Sequence, residues 1–443
     1  MRLRTRAVAA ATGGELVGPD VEVDGATIDS RWVAGGELFV PIVAQRDGHD
    51  FINDALGAGA AASLSSSGRP VDGTVVVVDD TRAALAALGR LARSRLADRV
   101  VAVTGSVGKT SVKDLLGAAL STRWRTAASA GSFNNELGVP LTLLGSPDGT
   151  EAAVVEMGAR AGGDLRFLCS IAAPTVGVVT GVGLVHTETF GTIADVARAK
   201  AELVEALPAG GTAVLNADDP LVADMAAVTP ASVLRYGVAD GGAGAVADVS
   251  AGDVVLDAEL RPSFRLQSPW GGADVRLAVR GRHQVGNALA AAAAALACGV
   301  GPEAVAAGLA QAALSPWRMA LERSASGALV LNDAYNANPL SVAVALRALA
   351  ELAANRRIAV LGTMAELGEV SGDEHRAVAA LAAELGVRVV AVGEAAYGCE
   401  LVDGVDEALA VLGPVGEGDV VLVKGSRVAG LERLAERLVG PRT

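Results

Sequence analysis

The sequence predicts an α/β protein with mostly parallel sheets and flanking helices, divided into three domains. Apolar runs typical of buried strands alternate with helical stretches over most of the chain, and this alternation favours parallel sheets covered by helices. A glycine-rich segment at 104–110 lies between such a run and a helical stretch, as in phosphate-binding loops. With 443 residues the chain is long enough for two to four domains, each with its own core.

The first domain is predicted as a smaller α/β unit over residues 1–97. Apolar runs at 38–42 and 74–78 predict two of its strands. A helical stretch at 83–95 then leads toward the glycine-rich segment, so the first domain is expected to end just before it.

The central domain is predicted over 98–313, with the mostly parallel sheet of a P-loop-type protein. Short alternating pieces within 246–280 indicate a small antiparallel addition to that sheet. Its other expected strands and helices are 100–103, 152–156, 175–180, 193–207, 211–215 and 285–297. The third domain, over 314–443, is predicted to be a Rossmann-like α/β unit. Its strands are expected at 329–331, 358–361, 387–392 and 420–423.

The composition excludes several classes of protein. A net charge of −13 argues against nucleic acid as a partner, because phosphate backbones are bound by basic surfaces. No apolar run approaches the ~20 residues that cross a bilayer, and the alanine-rich stretch after the first basic residues is too short for a signal peptide. Cys169, Cys298 and Cys399 show no metal-binding spacing, so we expect reduced thiols and a cytoplasmic enzyme.

Lysine is rare in this chain, since four of its 37 basic side chains are lysines and the other 33 are arginines. Where arginine serves as the general cation, a retained lysine is a candidate for chemistry that needs a compact ammonium or a nucleophilic amine. The four lysines are Lys109, Lys113, Lys200 and Lys424.

The glycine-rich segment predicts a nucleoside triphosphate site. A strand, a glycine loop and a helix in this order turn several backbone N–H groups and the positive end of the helix dipole toward one anion. Lys109 would lie beside the terminal phosphates, and the Thr110 hydroxyl would reach Mg²⁺. The alternative is a plain glycine turn with a solvated lysine. The candidate ATP-binding residues here are Thr104, Gly105, Ser106, Val107, Gly108, Lys109, Thr110 and Ser111.

Three further side chains in the central domain are candidates for metal binding or catalysis. Glu156 ends an apolar strand near the loop and is expected to bind Mg²⁺ or to be a solvated strand end. His186 follows another strand; it would be an unusual Mg²⁺ ligand, and the alternative is a hydrogen-bonded loop histidine. Lys200 lies within a helix, where a solvated lysine paired with a glutamate is the ordinary alternative.

Polar clusters at element junctions supply the remaining candidates. Asn134 and Asn135 precede a Gly-Val-Pro segment, which indicates either a capped helix or a ligand-binding loop. Arg318 and Lys424 are candidate cations for phosphate or carboxylate, or else surface charges. Residues 333–339 follow a strand directly and precede a helix. Four candidate binding residues belong to this segment, and they are Asp333, Tyr335, Asn336 and Asn338. A fifth candidate, Ser426, lies just after the last predicted strand.

Taken together, these motifs resemble the Mur ligases of peptidoglycan synthesis, and they do so over essentially the whole chain. The matching segments, in chain order, are 104–110, 134–140, 156–158, 183–191, the helix around Lys200, 281–287, the arginine motif at Arg318 with Trp317 where glycine is usual, and 333–339. In the first domain Asp29, Ser30 and Arg31, together with Asp47 and His49, resemble the uridine-nucleotide-binding module of the later ligases. The form of 333–339 is similar to that of the members that add D-alanyl-D-alanine.

The resemblance implies an ATP-dependent amide ligase that adds D-alanyl-D-alanine to UDP-N-acetylmuramoyl-tripeptide through an acyl phosphate. It further implies ATP, two Mg²⁺ ions held by Thr110, Glu156, His186 and a carbamylated Lys200, and adenine near Asn287. Arg318 and Asp333 would also contact ATP. The catalytic side chains would be Lys109, Lys200 and His186, and the protein would be a monomer. The implied substrate-binding residues are Ser30, Arg31, Asp47, His49, Asn134, Asn135, Tyr335, Asn336, Asn338, Lys424 and Ser426.

Two other functions are compatible with the sequence. One is a ligase of the same superfamily that adds a single amino acid, and the amine that stimulates ADP release would distinguish it. The other is a nucleotide-dependent binding or regulatory protein that hydrolyses ATP slowly and ligates nothing.

Overall fold

A computed structural model of the chain describes residues 1–183, 190–238 and 247–440, and it confirms the α/β class. Three larger sheets follow one another along the chain, and each lies within one of the predicted domain ranges. The boundaries near residues 97 and 313 themselves remain predictions. Within the described residues, no helix combines the length and the apolar character that crossing a membrane requires.

The first domain contains a five-stranded sheet and three helices. The sheet order is β2-β7-β6-β5-β4, parallel except for β2, and β1 pairs separately with β3. The predicted strand at 38–42 ends at Phe39, two residues before Pro41, whose nitrogen cannot donate to a ladder. The elements are β1 (Arg2–Arg4), α1 (Thr5–Thr12), β2 (Glu15–Val17), β3 (Glu22–Asp24), β4 (Ala26–Thr27), β5 (Leu38–Phe39), α2 (Ile52–Gly57), β6 (Ala62–Ser65), β7 (Val75–Val77) and α3 (Thr81–Ser94).

The central domain is built on nine strands in the order β16-β15-β14-β13-β12-β11-β8-β10-β9. Strands from β9 to β14 are parallel, and β15 and β16 form the expected antiparallel addition. Its strands are β8 (Arg99–Thr104), β9 (Thr126–Ala128), β10 (Ala152–Glu156), β11 (Val176–Val179), β12 (Thr212–Asn216), β13 (Ser232–Val238), β14 (Val249–Leu256), β15 (Pro262–Ser268) and β16 (Gly271–Arg276). Its described helices are α4 (Lys109–Ser121), α5 (Gly138–Leu144), α6 (Asp164–Ala172), α7 (Ile193–Glu205), α8 (Pro220–Ala223), α9 (Gln284–Ala297) and α10 (Pro302–Gln311).

Alternate side chains of the central strands enter two different cores. Val100 and Ala102 of β8 pack on the side that carries α3, α5 and α6, whereas Val101 and Val103 pack against α4 and the alanine-rich α9. Such burial on both faces is what an uninterrupted apolar strand predicts. Because β8 lies between β10 and β11, the loops that follow these three strands meet at one edge of the sheet.

The third domain has six strands in the order β17-β18-β22-β19-β20-β21, parallel except for β17. Its central strands β18, β22 and β19 also end at one edge, which carries residues 333–338, 425–428 and 363–367. The elements are β17 (Ala320–Arg323), β18 (Leu329–Asn332), α11 (Pro339–Glu351), β19 (Arg356–Gly362), α12 (Ser371–Glu384), β20 (Arg388–Val392), β21 (Glu400–Val402), α13 (Val405–Leu412), β22 (Asp419–Lys424) and α14 (Glu432–Val439).

Candidate active site

The loop between β8 and α4 has the backbone that a phosphate-binding loop requires. Gly105 has a φ of 148° and Gly108 a φ of 83°, values that side chains of L-residues rarely allow. A Cβ at Gly105 would collide with the Thr180 hydroxyl, and one at Gly108 would lie 2.5 Å from Oδ1 of Asn287. The loop is therefore packed closely from behind while its front faces an open cavity.

Lys109 and Ser106 tie this loop to its surroundings. The Lys109 ammonium donates to the Gly105 carbonyl at 2.7 Å, and the Ser106 hydroxyl donates to the Gly183 carbonyl at 3.0 Å and accepts from the Gly183 amide at 2.9 Å. Burial lowers the pKa of Lys109, the Glu156 carboxylate opposes that shift, and Arg318 adds to it. Because this hydrogen bond fixes the lysine side chain, its charge is already positioned at the mouth of the loop and little side-chain entropy is lost when a phosphate binds.

Arg318 reaches the phosphate loop from the third domain. Its Nη2 donates to the Thr110 hydroxyl at 3.1 Å, and Thr110 lies 3.3 Å from the Ser132 hydroxyl. The guanidinium carbon stands 4.2 Å from the centre of the Tyr335 ring, so the aromatic face holds the side chain in place. Arg318 therefore joins the two domains at the point where a terminal phosphate would lie.

Glu156 carries a carboxylate oxygen that fits a cation. The residue is 1% exposed, and its Oε1 accepts from Nδ2 of Asn134 at 2.8 Å. Its Oε2 is buried and has no hydrogen-bond partner within the described residues, an arrangement that costs free energy unless a cation or water satisfies it. Together with the hydroxyls of Thr110 and Ser132 this is an oxygen donor set of the kind that Mg²⁺ prefers.

Glu156 is the one carboxylate of this oxygen set, and the described ranges contain no group of three or more histidine, cysteine, aspartate and glutamate side chains able to hold a metal. His186, one of the expected ligands, lies outside the described residues. The place of His186 therefore stays a prediction.

Lys200 is a buried amine on α7 that lines the same cavity. It is only 2% exposed, and within the described part of the chain its Nζ makes no hydrogen bond. Burial and the charge of Lys109 lower its pKa to about 7. Glu202, the partner that a surface pair would use, accepts instead from the backbone amides of Gly163 and Arg166 at 2.6 and 3.1 Å. The alternative of a solvated helix lysine is wrong.

The two asparagines in the segment from Phe133 to Glu136 make different contacts, one at the start of a helix and one at the cavity. The Oδ1 of Asn135 accepts from the amide of Gly138, the first residue of α5, at 2.9 Å, whereas Nδ2 of Asn134 donates to Glu156. The same segment contacts the first domain. The Phe133 ring stacks on Trp32 at 6.4 Å between centroids, and Glu136 pairs with Arg82 at 3.3 Å.

The candidate residues of the first domain form a separate polar patch. Asp47 accepts from Nδ1 of His49 at 2.7 Å, and Nε2 of His49 accepts from the Ser66 amide at 3.0 Å. Arg31 forms a two-point pair with Asp29 at 2.8 and 2.6 Å, with 82% of its side chain exposed. None of the four candidates of the first domain lines the central cavity. They are Ser30, Arg31, Asp47 and His49.

A buried ion pair organises the third-domain side of the site. The Lys424 ammonium is 2% exposed and donates to Oδ2 of Asp333 at 2.5 Å and to the Asn336 carbonyl at 2.9 Å. Oδ1 of Asp333 accepts from the Met319 amide at 3.1 Å, which fixes the chain next to Arg318. Burial lowers the pKa of the nearby His283 to about 4, although the Asp333 charge opposes the shift.

The other candidates of the third domain differ in how free their side chains are. Asn338 is engaged as the cap of α11, where its Oδ1 accepts from the Ser341 amide at 2.9 Å, and the Ser426 hydroxyl accepts from the Ala365 amide at 2.9 Å. Asn336 is exposed on the cavity wall, and Tyr335 lies beneath Arg318.

The cavity itself measures about 510 Å³ and lies between the central and third domains. It brings together residues 105–111, Asn134, Glu156 and Lys200 on one wall with Arg318, 335–338 and 426–428 on the other. Four candidates stand behind these walls rather than on them, namely Thr104, Asn287, Asp333 and Lys424.

Sequence reasoning missed two contributors to this site, Ser132 beside Thr110 and Arg427 on the opposite wall. Trp317, which stands where the arginine motif usually has glycine, does adopt a left-handed φ of 60°. Its ring is covered by the Arg427 guanidinium at 4.4 Å. That unusual tryptophan was the signal that could have drawn attention to Arg427.

Comparison with known proteins identifies the family. A model of the Mur ligase middle domain matches residues 103–295, and a model of the Mur ligase, glutamate ligase domain matches residues 317–427. The chain belongs to the Mur ligase family. Both matched ranges contain walls of the cavity, so the phosphate loop and the Arg318 contact lie in the family's conserved domains.

Several relatives that are 37–42% identical to this Mur ligase over more than nine-tenths of its length carry one name. The UDP-N-acetylmuramoyl-tripeptide–D-alanyl-D-alanine ligase of Mycobacterium tuberculosis is 42% identical over 94% of this chain and 92% of its own. The crystal structure of MurF from Acinetobacter baumannii is similar with a TM-score of 0.88 at 31% identity, covering 99% of both chains. MurF from Thermotoga maritima in complex with ADP has a TM-score of 0.79 at 28% identity, covering 93% of this chain and 96% of that one.

The buried pair of Lys424 and Asp333 makes a prediction about stability. Lys424→Met should lower the free energy of unfolding by roughly 3–5 kcal/mol, because the Asp333 carboxylate would remain buried without its cation. Urea-induced unfolding measures this change. As a matched control, Arg437→Met removes an exposed cation paired with Asp406 in the same domain and should change stability by no more than about 0.5 kcal/mol. Equal stability of the two variants would contradict a structural role for Lys424.

Proposed function

We propose that this Mur ligase uses ATP to form an amide between UDP-N-acetylmuramoyl-tripeptide and D-alanyl-D-alanine. The observation that carries the proposal is the contact of Arg318 with Thr110, which places a third-domain cation at the phosphate loop of the central domain. A ligase must hold ATP together with the two molecules that it joins, and a site between two domains can contain all three. The names of the relatives that span nearly the whole chain support the choice of substrates.

ATP binding rests on the phosphate loop. The Ser106 N–H donates to the Gly181 carbonyl at 2.8 Å, so the other backbone N–H groups of the loop and the N-terminus of α4 would surround the β- and γ-phosphates. Lys109 and Arg318 would neutralise their charge. Adenine would lie near Asn287, whose amide is held by Gln284 at 2.9 Å behind Gly108. The ADP bound to the related Thermotoga maritima enzyme supports this assignment.

The reaction consists of two displacements. In the first, an oxygen of the tripeptide's terminal carboxylate attacks the γ-phosphorus, the bond to the β-phosphate oxygen breaks, and ADP leaves. In the second, the neutral amine of the dipeptide attacks the acyl carbon, loses a proton and expels inorganic phosphate. Because a carboxylate approaches a triphosphate, anion against anion, Lys109 and Arg318 accelerate the first displacement mainly through position and charge.

Magnesium fits the oxygen atoms on the central wall. The residues that would hold it are Thr110 and Glu156, whose buried Oε2 has no other partner among the described residues, with His186 and a carbamate on Lys200 at a second ion. When bound, the ions neutralise phosphate charge and align the transferred group. With its pKa lowered to about 7, the Lys200 amine is about half neutral at pH 7, and the neutral form is the one that reacts with carbon dioxide.

The other substrates complete the proposal. The first-domain patch around Asp47 and Arg31 would bind the uridine nucleotide, and the stack of Trp32 on Phe133 would carry the muramoyl-peptide end toward Asn134. Asn336 would hold the incoming dipeptide. Addition of a single amino acid is not favoured, because relatives that are 37–42% identical over more than nine-tenths of the chain carry the name of the dipeptide-adding ligase. We also propose a monomer that acts in the cytoplasm, where thiols stay reduced, because Cys169, Cys298 and Cys399 are free thiols in the described residues and the first two are buried.

The choice of amine is tested by ADP release with UDP-N-acetylmuramoyl-tripeptide and ATP. D-Alanyl-D-alanine should stimulate release well above D-alanine, L-alanine, L-lysine or meso-diaminopimelate, because among these amines only the dipeptide offers a peptide carbonyl and a peptide N–H to the Asn336 amide. Omitting the tripeptide is the control. A faster reaction with a single amino acid would overturn the substrate assignment, and ADP release without ligation under every amine would favour a slow ATP hydrolase.

The role of Lys200 is tested by two substitutions, one that removes the amine and one that keeps a positive charge. Lys200→Ala should lose ligation, by about a hundredfold or more, and short-chain carboxylates should restore part of it by replacing the carbamate oxygens. Lys200→Arg keeps a cation and should be just as inactive, because guanidinium cannot become an oxygen ligand.

The matched control is Arg198→Lys on the same helix, which exchanges an exposed cation and should leave the rate unchanged. Wild-type ligation by Lys200→Arg would reject the carbamate.

A further inference from the structure

The incoming dipeptide carries a carboxylate, and the third domain must supply its counter-charge. Lys424, the expected cation, cannot do so, because its ammonium donates to Asp333 and to the Asn336 carbonyl behind the wall. Arg318 is directed to Thr110 and Tyr335 at the phosphate end of the cavity. The cation for the carboxylate must therefore come from another side chain.

Arg427 lies on the third-domain wall of the cavity, three residues after Lys424. It leaves 55% of its side chain exposed, and one edge of the guanidinium pairs with Glu432 at 3.1 Å between Nη1 and Oε1. The face of the guanidinium lies on the Trp317 ring at 4.4 Å. A planar cation fixed by one pair and one stack keeps other N–H groups for a two-point contact with a carboxylate, and it loses little side-chain entropy on binding.

The neighbours of Arg427 suit a small dipeptide with methyl side chains. Val428 also lines the cavity and is 80% exposed, so an apolar group stands beside the cation. Asn336 lies exposed on the same wall and can donate to a peptide carbonyl and accept from a peptide N–H. Charge, amide and apolar side chain occur together on one wall, opposite Lys109 and Lys200.

We propose that Arg427 binds the C-terminal carboxylate of the dipeptide and so selects a dipeptide, with Val428 against a methyl group. This inference rests on the proposed function, since it assigns a subsite for that function's second substrate. Trp317 is then a positioning residue, because its left-handed backbone places the indole under the guanidinium.

The test combines a change in the protein with a change in the ligand. The dipeptide and its C-terminal amide, D-alanyl-D-alaninamide, are compared with wild-type enzyme and with Arg427→Ala. Wild type should have a KM for the dipeptide about tenfold to a hundredfold below that for the amide. Arg427→Ala should raise the KM for the dipeptide to that of the amide, while kcat and the KM values for ATP and the UDP substrate stay within about threefold.

Arg437→Ala is the matched control, an exposed third-domain arginine in an ion pair away from the cavity, and it should keep the wild-type preference. If Arg427→Ala does not fold, Arg427→Gln carries the same comparison, because it keeps a planar polar group over Trp317. The inference is overturned if the variant still prefers the dipeptide to its amide by the wild-type ratio. It is equally overturned if the KM of the tripeptide substrate rises instead, which would assign Arg427 to that substrate's carboxylates. Failure of wild type to ligate the dipeptide would instead reject the proposed function itself.

Discussion

The site depends on two glycines that leave no room for a side chain. Gly105 and Gly108 have left-handed φ values, and a Cβ at either would collide with the Thr180 hydroxyl or the Asn287 amide. This close packing fixes the phosphate loop between β11 on one side and α9 on the other. Because the loop is packed closely from behind, Lys109 and Thr110 line the cavity, and Glu156, Lys200 and Arg318 line it around them.

Around the loop, an acidic protein concentrates its few lysines where they are shielded from water. Lys113, Lys200 and Lys424 are each no more than 3% exposed. Two of them have internal partners, since Lys113 donates to the Ser129 carbonyl at 2.8 Å and pairs with Asp114, and Lys424 is bonded to Asp333. Lys200 alone of these three has no hydrogen-bond partner within the described residues. Its burial on the cavity wall and its lowered pKa are the physical reasons for assigning it a chemical role.

The regular strands and helices could be predicted from the apolar pattern of the sequence. The role of a single side chain was harder to predict where that side chain has two possible partners. The strand at 152–156 and the helix at 285–297 agree with the structure to within one residue, because long apolar runs allow few alternatives. Asn135 and Asn338 are expected to bind substrate, and that role stays a prediction. In the structure the Oδ1 of Asn135 accepts from the Gly138 amide at the start of α5, and Asn338 caps α11, because the same residue type serves either purpose. Lys424 was expected at the cavity, and only the fold reveals that Asp333 lies next to it.

Trp317 shows why the third-domain wall could not be derived from motifs. The resemblance marked it as a departure from glycine, and its left-handed backbone, at a cost of about 1–2 kcal/mol, is the conformation that glycine would adopt freely. The motif does not include Arg427, whose guanidinium stacks on the indole and compensates for the cost of this backbone conformation. The two residues are far apart in sequence, so their contact depends on the third-domain sheet that brings both segments to one edge.

The central claim is that a carboxylate oxygen of the tripeptide attacks the γ-phosphate at the mouth of this loop. The most direct measurement uses UDP-N-acetylmuramoyl-tripeptide labelled with ¹⁸O in its terminal carboxylate, followed by mass analysis of the phosphate released during ligation. An acyl phosphate passes its bridging oxygen to phosphate when the amine attacks carbon, so each phosphate formed should carry one ¹⁸O atom. Ligated product formed together with unlabelled phosphate, with the departing ¹⁸O atom found in water instead, would contradict the acyl phosphate.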